Sequence, residues 1–234
     1  MLRSNRCSPK PGGHGRPNGA LPGHLVAEQK PDGFRAVLFA RPGLVMVQSR
    51  QGADLTPAFP EISAAATNLG EALVLDGEIV VPAEGRLLFA ELQRRARLRG
   101  GNARKASRDH PAYLIVFEVL EVGGTKLLRR PYVERRAVLE DLFTRDVLAA
   151  PFTLCPSTTD RATALDWLDP SWGAVGIEGV VLKGTAQPYL PGKQAWIKVR
   201  SRATAEGIIG GVTGELTSSA TLLLGHYDAV ETCG

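Results

Sequence analysis

From Leu25 onward, short apolar runs alternate with stretches whose apolar residues recur at helical spacing, and Gly and Pro punctuate the boundaries. Alternating or continuous apolar runs predict strands at Phe34–Ala40, Val45–Arg50, Leu73–Val81, Tyr113–Val122, Ile177–Lys183 and Ala195–Arg200. Two more follow at Gly207–Val212 and Thr221–Tyr227. Arg41-Pro42-Gly43-Leu44 reads as a turn between antiparallel strands. Helical spacing predicts helices at Ala58–Leu69, Phe89–Arg99, Tyr132–Arg145 and Ala162–Leu168; Asp54 and Thr56 are candidate caps and Pro57 lies near the first turn of the first. Hairpin-like connections dominate and no regular βαβ alternation occurs. The expected class is therefore α+β, with mostly antiparallel sheets flanked by helices.

The ends of the chain have a different texture. Residues 1–24 carry Arg3, Arg6, Lys10 and Arg16 among glycines and prolines, without the apolar segment of a secretory signal, and read as a flexible basic tail. The Arg200–Ala205 stretch is polar, and only two strands are predicted after it; about 30 residues cannot close a barrel. Residues 25–203 are thus expected to form the main domain, with a small, incomplete β domain over 204–234. The net charge of +4, from 28 Lys and Arg against 24 Asp and Glu, suits a polyanionic partner without requiring one. Cys7, Cys155 and Cys233 are too scattered for a zinc site or a disulfide framework, which fits a reducing, cytoplasmic compartment. No apolar run approaches the roughly 20 residues needed to cross a bilayer.

Four clusters carry candidate chemistry. Lys30-Pro31-Asp32-Gly33-Phe34-Arg35, preceded by Glu28, sets an amine nucleophile at a tight turn beside an arginine. Asp76-Gly77-Glu78 interrupts an apolar strand, and Glu178-Gly179-Val180-Val181-Leu182-Lys183 sets an acid and a cation within another. Ionised groups in such surroundings cost several kcal/mol unless paired or bound to a metal. In Trp196-Ile197-Lys198-Val199-Arg200, alternation puts both cations on one face of a strand, an arrangement suited to a polyphosphate.

In this order the motifs resemble those of ATP-dependent DNA ligases, within the covalent nucleotidyltransferase superfamily that also holds RNA ligases and capping enzymes. The resemblance rests on K-x-D-G-x-R at Lys30–Arg35, Ser49-Arg50-x-Gly52, Asp76-Gly77-Glu78, Phe117-Glu118-Val119-Leu120, E-G-V-V-x-K at Glu178–Lys183, and Trp196-x-Lys198-x-Arg200. It spans roughly residues 25–202 and implies an ATP-grasp-like adenylation domain followed by an oligonucleotide-binding barrel. It further implies that Lys30 attacks the α-phosphate of ATP and carries AMP as a phosphoramidate. An unperturbed lysine is neutral in only about one molecule in a thousand at pH 7, so its pKa is expected to fall, through Arg35, Lys183, Lys198, Arg200 and bound magnesium or manganese. The resemblance places Arg35 and Glu78 at the ribose, Arg50 at the nucleotide or the nick phosphate, and Phe117 under the adenine. Glu28 would accept from the exocyclic amine, Glu178 with Glu78 would hold the metal, and Lys183, Lys198 and Arg200 would neutralise phosphates.

Two positions depart from the family pattern, Glu118 and Arg200 standing where aspartate and lysine are more usual, with charge preserved. The run Arg94, Arg95, Arg97, Arg99, Arg104, Lys105 and Arg108 puts seven cations in fifteen residues, read either as a surface for DNA phosphates or as a solvated helix and loop. Arg129, Arg130, Arg135 and Arg136 read as solvated. The resemblance implies a monomer acting on nicked double-stranded DNA. The incomplete barrel leaves room for only part of the reaction cycle or for a non-catalytic nucleotide- or DNA-binding remnant, and because the motifs separate DNA from RNA substrates poorly, an RNA ligase is the nearest rival.

Overall fold

The computed structural model describes residues 21–201, 208–215 and 218–225. Nearly all of the predicted basic tail therefore lies outside the described residues.

Two sheets organise the main unit, which ends at Ser201. The larger is built on β2 (Phe34–Arg41), β3 (Leu44–Ser49), β4 (Leu73–Val80), β7 (Tyr113–Val122) and β8 (Thr125–Lys126), in the order β3-β2-β4-β7-β8, with β9 (Phe152–Leu154) paired to β7. The smaller has the order β10-β1-β11-β12, from β1 (Leu25–Pro31), β10 (Ser157–Thr158), β11 (Ile177–Gly184) and β12 (Ile197–Arg200). A small hairpin of β5 (Pro82–Ala83) and β6 (Arg86–Leu87) follows β4. Among the described residues every strand pairing is antiparallel except β7 with β9. The α+β expectation holds; the added strands are β1, seven residues whose Glu28-Gln29-Lys30 stretch breaks the apolar pattern, and the two- or three-residue β5, β6, β8, β9 and β10.

Helices α1 (Pro60–Thr67), α2 (Phe89–Ala96), α3 (Gly100–Asp109) and α4 (Tyr132–Thr144) accompany the larger sheet, and α5 (Arg161–Asp166) and α6 (Ser171–Ala174) the smaller. The main core joins Leu38, Val47, Leu75 and Leu114 of the sheet to Phe59, Ile62, Leu92, Leu139 and Leu142 from the helical side. A smaller core sets Ala27 and Val180 against Trp167. The predicted helix Phe89–Arg99 is corrected: α2 stops at Ala96 and α3 starts at Gly100, whose φ of 57° is a conformation glycine adopts at no steric cost. The predicted strand Ala195–Arg200 is shorter, beginning at Ile197.

β4 is the central strand that explains the acidic interruption. Gly77 stands opposite Val116, where an added Cβ would lie 2.7 Å from the Ile115 carbonyl oxygen, so only glycine permits this approach of β7. The interruption thus lets two carboxyl side chains flank a close strand pairing.

The second unit begins at Arg202 and contributes β13 (Ile208–Glu215) and β14 (Ser218–Gly225), an antiparallel pair. Gly207, His226 and Tyr227 of the predicted strands lie outside the described residues. Among the described residues no helix is long and apolar enough to cross a membrane.

Candidate active site

A cavity of ≈ 520 Å³ opens between the two sheets, a size suited to a small-molecule ligand. Glu28 and Lys30 reach it from alternate positions of β1, Arg35 from β2, Arg50 from the turn after β3, Glu78 from β4 and Phe117 from β7. Glu178 and Lys183 come from β11, and Lys198 and Arg200 from one face of β12. All ten residues singled out in the sequence therefore line one cavity, although they are drawn from both sheets.

Around Lys30 the side chains are partly exposed and charged. The Lys30 ammonium is ion-paired with Glu178, and Arg200 Nε lies 3.7 Å from the same carboxylate. Burial pushes the Glu178 carboxyl up, but the hydrogen bond and charge of Lys30 outweigh it and hold Glu178 low. Asp32 shares this cluster; burial and the Glu178 charge raise its pKa. Glu78 is pushed up to about 7 by burial, against the pull of Lys30 and Arg35. Lys198 is held below the ordinary lysine range by burial and by the positive charges of Arg35, Lys30 and Arg50.

Around Phe117 the charged groups are partnered, and all but Arg35 are buried. Lys183, only 1% exposed, places its ammonium 2.7 Å from Glu28 Oε2 and 3.1 Å from Glu118 Oε1, and donates to the Phe117 carbonyl. Three aromatic rings surround that ammonium, with centroids at 4.3 Å for Trp196, 5.0 Å for Tyr132 and 5.1 Å for Phe117. Burial alone would weaken its hold on the proton, yet Glu118 and Glu28 more than compensate and raise its pKa. Arg35 grips Asp76 through two hydrogen bonds of 2.6 and 3.1 Å, the Tyr189 hydroxyl donates to Asp76 at 2.8 Å, and the guanidinium lies over Trp196 and Phe117. Trp196 and Phe117 meet edge to face, 5.9 Å between centroids.

This division alters two expectations. A closed ring of cations about Lys30 is not what the chain builds, because Lys183 and Arg35 are committed to Glu28, Glu118 and Asp76, while Lys30 is itself paired with Glu178. Lys183, expected among the phosphate-neutralising cations, lines the cavity with a buried ammonium that has two carboxylate partners in this structure. The solvated reading of Arg135 and Arg136 is also corrected. Arg135 is 1% exposed and holds Glu118 bidentately at 2.8 and 3.0 Å; Arg136 donates to the Cys155 carbonyl and to Glu140. Arg129 and Arg130 are exposed as read.

Sequence reading left several of these groups without a role: Asp32, Asp76, Tyr132, Arg135 and Tyr189. For Arg135 a signal existed, since Tyr132, Arg135, Leu139 and Leu142 form the buried stripe of α4 at helical spacing. Within the basic run, Arg95 is buried and paired with Glu61, leaving six exposed cations on and beside α2 and α3.

No group of three or more His, Cys, Asp or Glu with metal-ligand spacing occurs among the described residues. A hard cation such as magnesium commonly takes one or two carboxylates and completes its shell with phosphate and water oxygens, so Glu178 and Glu78 on the cavity wall are chemically suited to one.

Comparison with known proteins fits the geometry. The family described as "ATP dependent DNA ligase domain" matches residues 19–200. The chain is 37% identical over 213 residues to DNA ligase C2 of Mycolicibacterium smegmatis, covering 89% of this chain and 59% of that protein. It is 34% identical over 214 residues to DNA ligase C of Mycobacterium tuberculosis, covering 89% and 60%. Among solved structures, a mycobacterial DNA ligase D complexed with ATP and MES is similar at a TM-score of 0.62 and 29% identity, covering 88% of this chain and 66% of that one. The chain thus spans about 60% of the length of these curated relatives.

Proposed function

Because the chain belongs to the ATP-dependent DNA ligase family, we propose that its cavity binds ATP with the adenine against Phe117 and the triphosphate along Lys198 and Arg200, and that Lys30 becomes the carrier of AMP. The observation that carries this reading is the Lys30 ammonium held on the Glu178 carboxylate in the same cavity as both β12 cations.

In the reaction the Lys30 Nζ lone pair forms a bond to the α-phosphorus while the bond from that phosphorus to the bridging oxygen breaks, releasing pyrophosphate. The ammonium must first give up a proton, and its hydrogen bond to Glu178 fixes where Nζ points. Lys198, Arg200 and Arg50 supply positive charge where negative charge shifts onto the leaving group. Glu28 accepts from the adenine amino group, and Glu78 with Arg35 flanks the ribose. Magnesium or manganese held by Glu178 and Glu78 would neutralise phosphate oxygens and ease departure of the pyrophosphate.

AMP then passes to the 5′-phosphate of nicked double-stranded DNA, and the 3′-hydroxyl displaces it to seal the nick. The names of the relatives support DNA over RNA as the substrate. The exposed cations on and beside α2 and α3 support contact with DNA phosphates. We read the chain as a cytoplasmic monomer and the unit containing β13 and β14 as the start of an oligonucleotide-binding domain.

The test is incubation with magnesium and ATP labelled on the α-phosphate, followed by denaturation. Label should stay on the chain and be absent from Lys30→Ala. Equal labelling of that variant would overturn the nucleophile assignment, and no labelling of either would overturn the adenylation reading for this chain.

A further inference from the structure

The wall beneath the proposed base site is fastened to α4, an element that none of the recognised motifs includes. Tyr132 and Arg135 are the polar members of its buried stripe, and both point into the cluster behind Phe117. The Tyr132 hydroxyl donates to Glu28 Oε1 at 2.6 Å. Arg135 donates to both oxygens of Glu118, and Lys183 bridges Glu118 and Glu28. Resting on the adenylation reading above, we propose that Tyr132 and Arg135 are positioning residues for base selection, holding Glu28 as an oriented carboxylate that can only accept hydrogen bonds.

Charge and hydrogen-bond capacity support this. Glu28, Glu118, Lys183 and Arg135 are all within 2% of complete burial and carry two negative and two positive charges, with Arg136 a further, less buried cation 3.7 Å from Glu28 Oε1. Removing Arg135 would strip Glu118 of its bidentate partner, and Lys183 would then serve Glu118 at the expense of Glu28. The arrangement is close to its limit, since burial already raises the Glu28 pKa, Lys183 lowers it only in part and Glu118 raises it further. Tyr132 has a single proton to give and gives it to Oε1, while Lys183 takes Oε2. Each oxygen keeps one further acceptor position. Such a group pairs with the amino donor of adenine and is mismatched to the carbonyl acceptor that guanine carries there. Were Glu28 to gain a proton, it could donate and the mismatch would vanish.

The experiment measures calorimetric binding of ATP and of purine riboside triphosphate, which lacks the amino group, without divalent metal so that no adduct forms. Wild-type chain should bind ATP the more tightly. Tyr132→Phe should weaken ATP by about tenfold, the scale of one hydrogen bond to a charged group, and leave the analogue within about twofold. Arg135→Met should erase the preference, and Arg135→Lys, which restores a cation, should recover part of it. An equal loss for both ligands in Tyr132→Phe, no loss for either, or a wild type indifferent to the amino group would each overturn the proposal. If Arg135→Met does not fold, the Tyr132→Phe pair decides alone. Lost discrimination failing to appear while Lys30 still labels would remove this inference and leave the adenylation reading; lost labelling with discrimination as described would do the reverse.

Discussion

The two sides of the cavity handle charge in opposite ways. Beside Phe117, every ionised side chain has a partner, and all but the partly exposed Arg35 are buried: Arg35 with Asp76, Lys183 with Glu28 and Glu118, Arg135 with Glu118. Beside Lys30, four cations, Lys30, Arg50, Lys198 and Arg200, share one firmly ionised carboxylate, Glu178, while burial raises the pKa of both Asp32 and Glu78. The first side is finished before any ligand arrives, as a rigid recognition surface must be. The second carries surplus positive charge that a triphosphate would complete, so its binding energy remains available for the chemical step.

Substitutions on the two sides should therefore fail differently. The largest effect expected is on catalysis: Lys198→Ala or Arg200→Ala should slow AMP transfer to Lys30 by about 10²- to 10³-fold, with thermal unfolding little changed. If either variant unfolded instead, the surplus-charge description of that side would be wrong. On the finished side, Arg135→Met should cost about 3–5 kcal/mol of stability, because it strands a buried carboxylate; chemical denaturation would measure this. A loss below about 1 kcal/mol would mean that the cluster is not a closed ion network.

A smaller, pH-dependent effect belongs to Glu78, whose folded pKa is about 7 against an ordinary value of 4.5. The folded chain then holds this proton more tightly than the unfolded chain. Its contribution to stability is present below the ordinary value and is lost as pH rises from there through about 7. Comparing denaturation midpoints across that window, Glu78→Gln should show a flatter dependence than wild type; matching slopes would refute the assignment. The smallest effect is at the surface. Replacing Arg104 and Arg108 with Gln should lower the slope of log affinity for DNA against log salt by about 2 and leave Lys30 labelling unchanged. An unchanged slope would favour the solvated reading of that helix.

How much of this was legible in the sequence also divides between the two sides. The residues around Lys30 stood out because charged groups inside apolar strands break the alternation, as at Asp76-Gly77-Glu78, Glu178–Lys183 and Lys198-x-Arg200. Around Phe117, the motif partners Glu28 and Lys183 were found, but what they partner was not. Pairing between Lys183 and Glu118 spans 65 positions of chain and depends on tertiary packing that no local pattern encodes. Arg135 reads as solvated because a charged residue on a helix usually is, whereas its place on the Tyr132, Leu139, Leu142 stripe buries it. Among the elements, long strands such as β4 and β7 were readable from hydrophobic runs, whereas β5, β6 and β8 are two residues long and exist only through their partners.

The central claim is that the lysine paired with Glu178 takes the AMP, and the cavity holds a real competitor. Lys198 lines the same cavity, and its proton is held less tightly than usual by burial and by Arg35, Lys30 and Arg50. Peptide mapping by mass spectrometry of chain incubated with ATP and magnesium would separate them. The account predicts one AMP per chain, on the peptide containing Lys30; AMP found on Lys198, or spread over both, would contradict it.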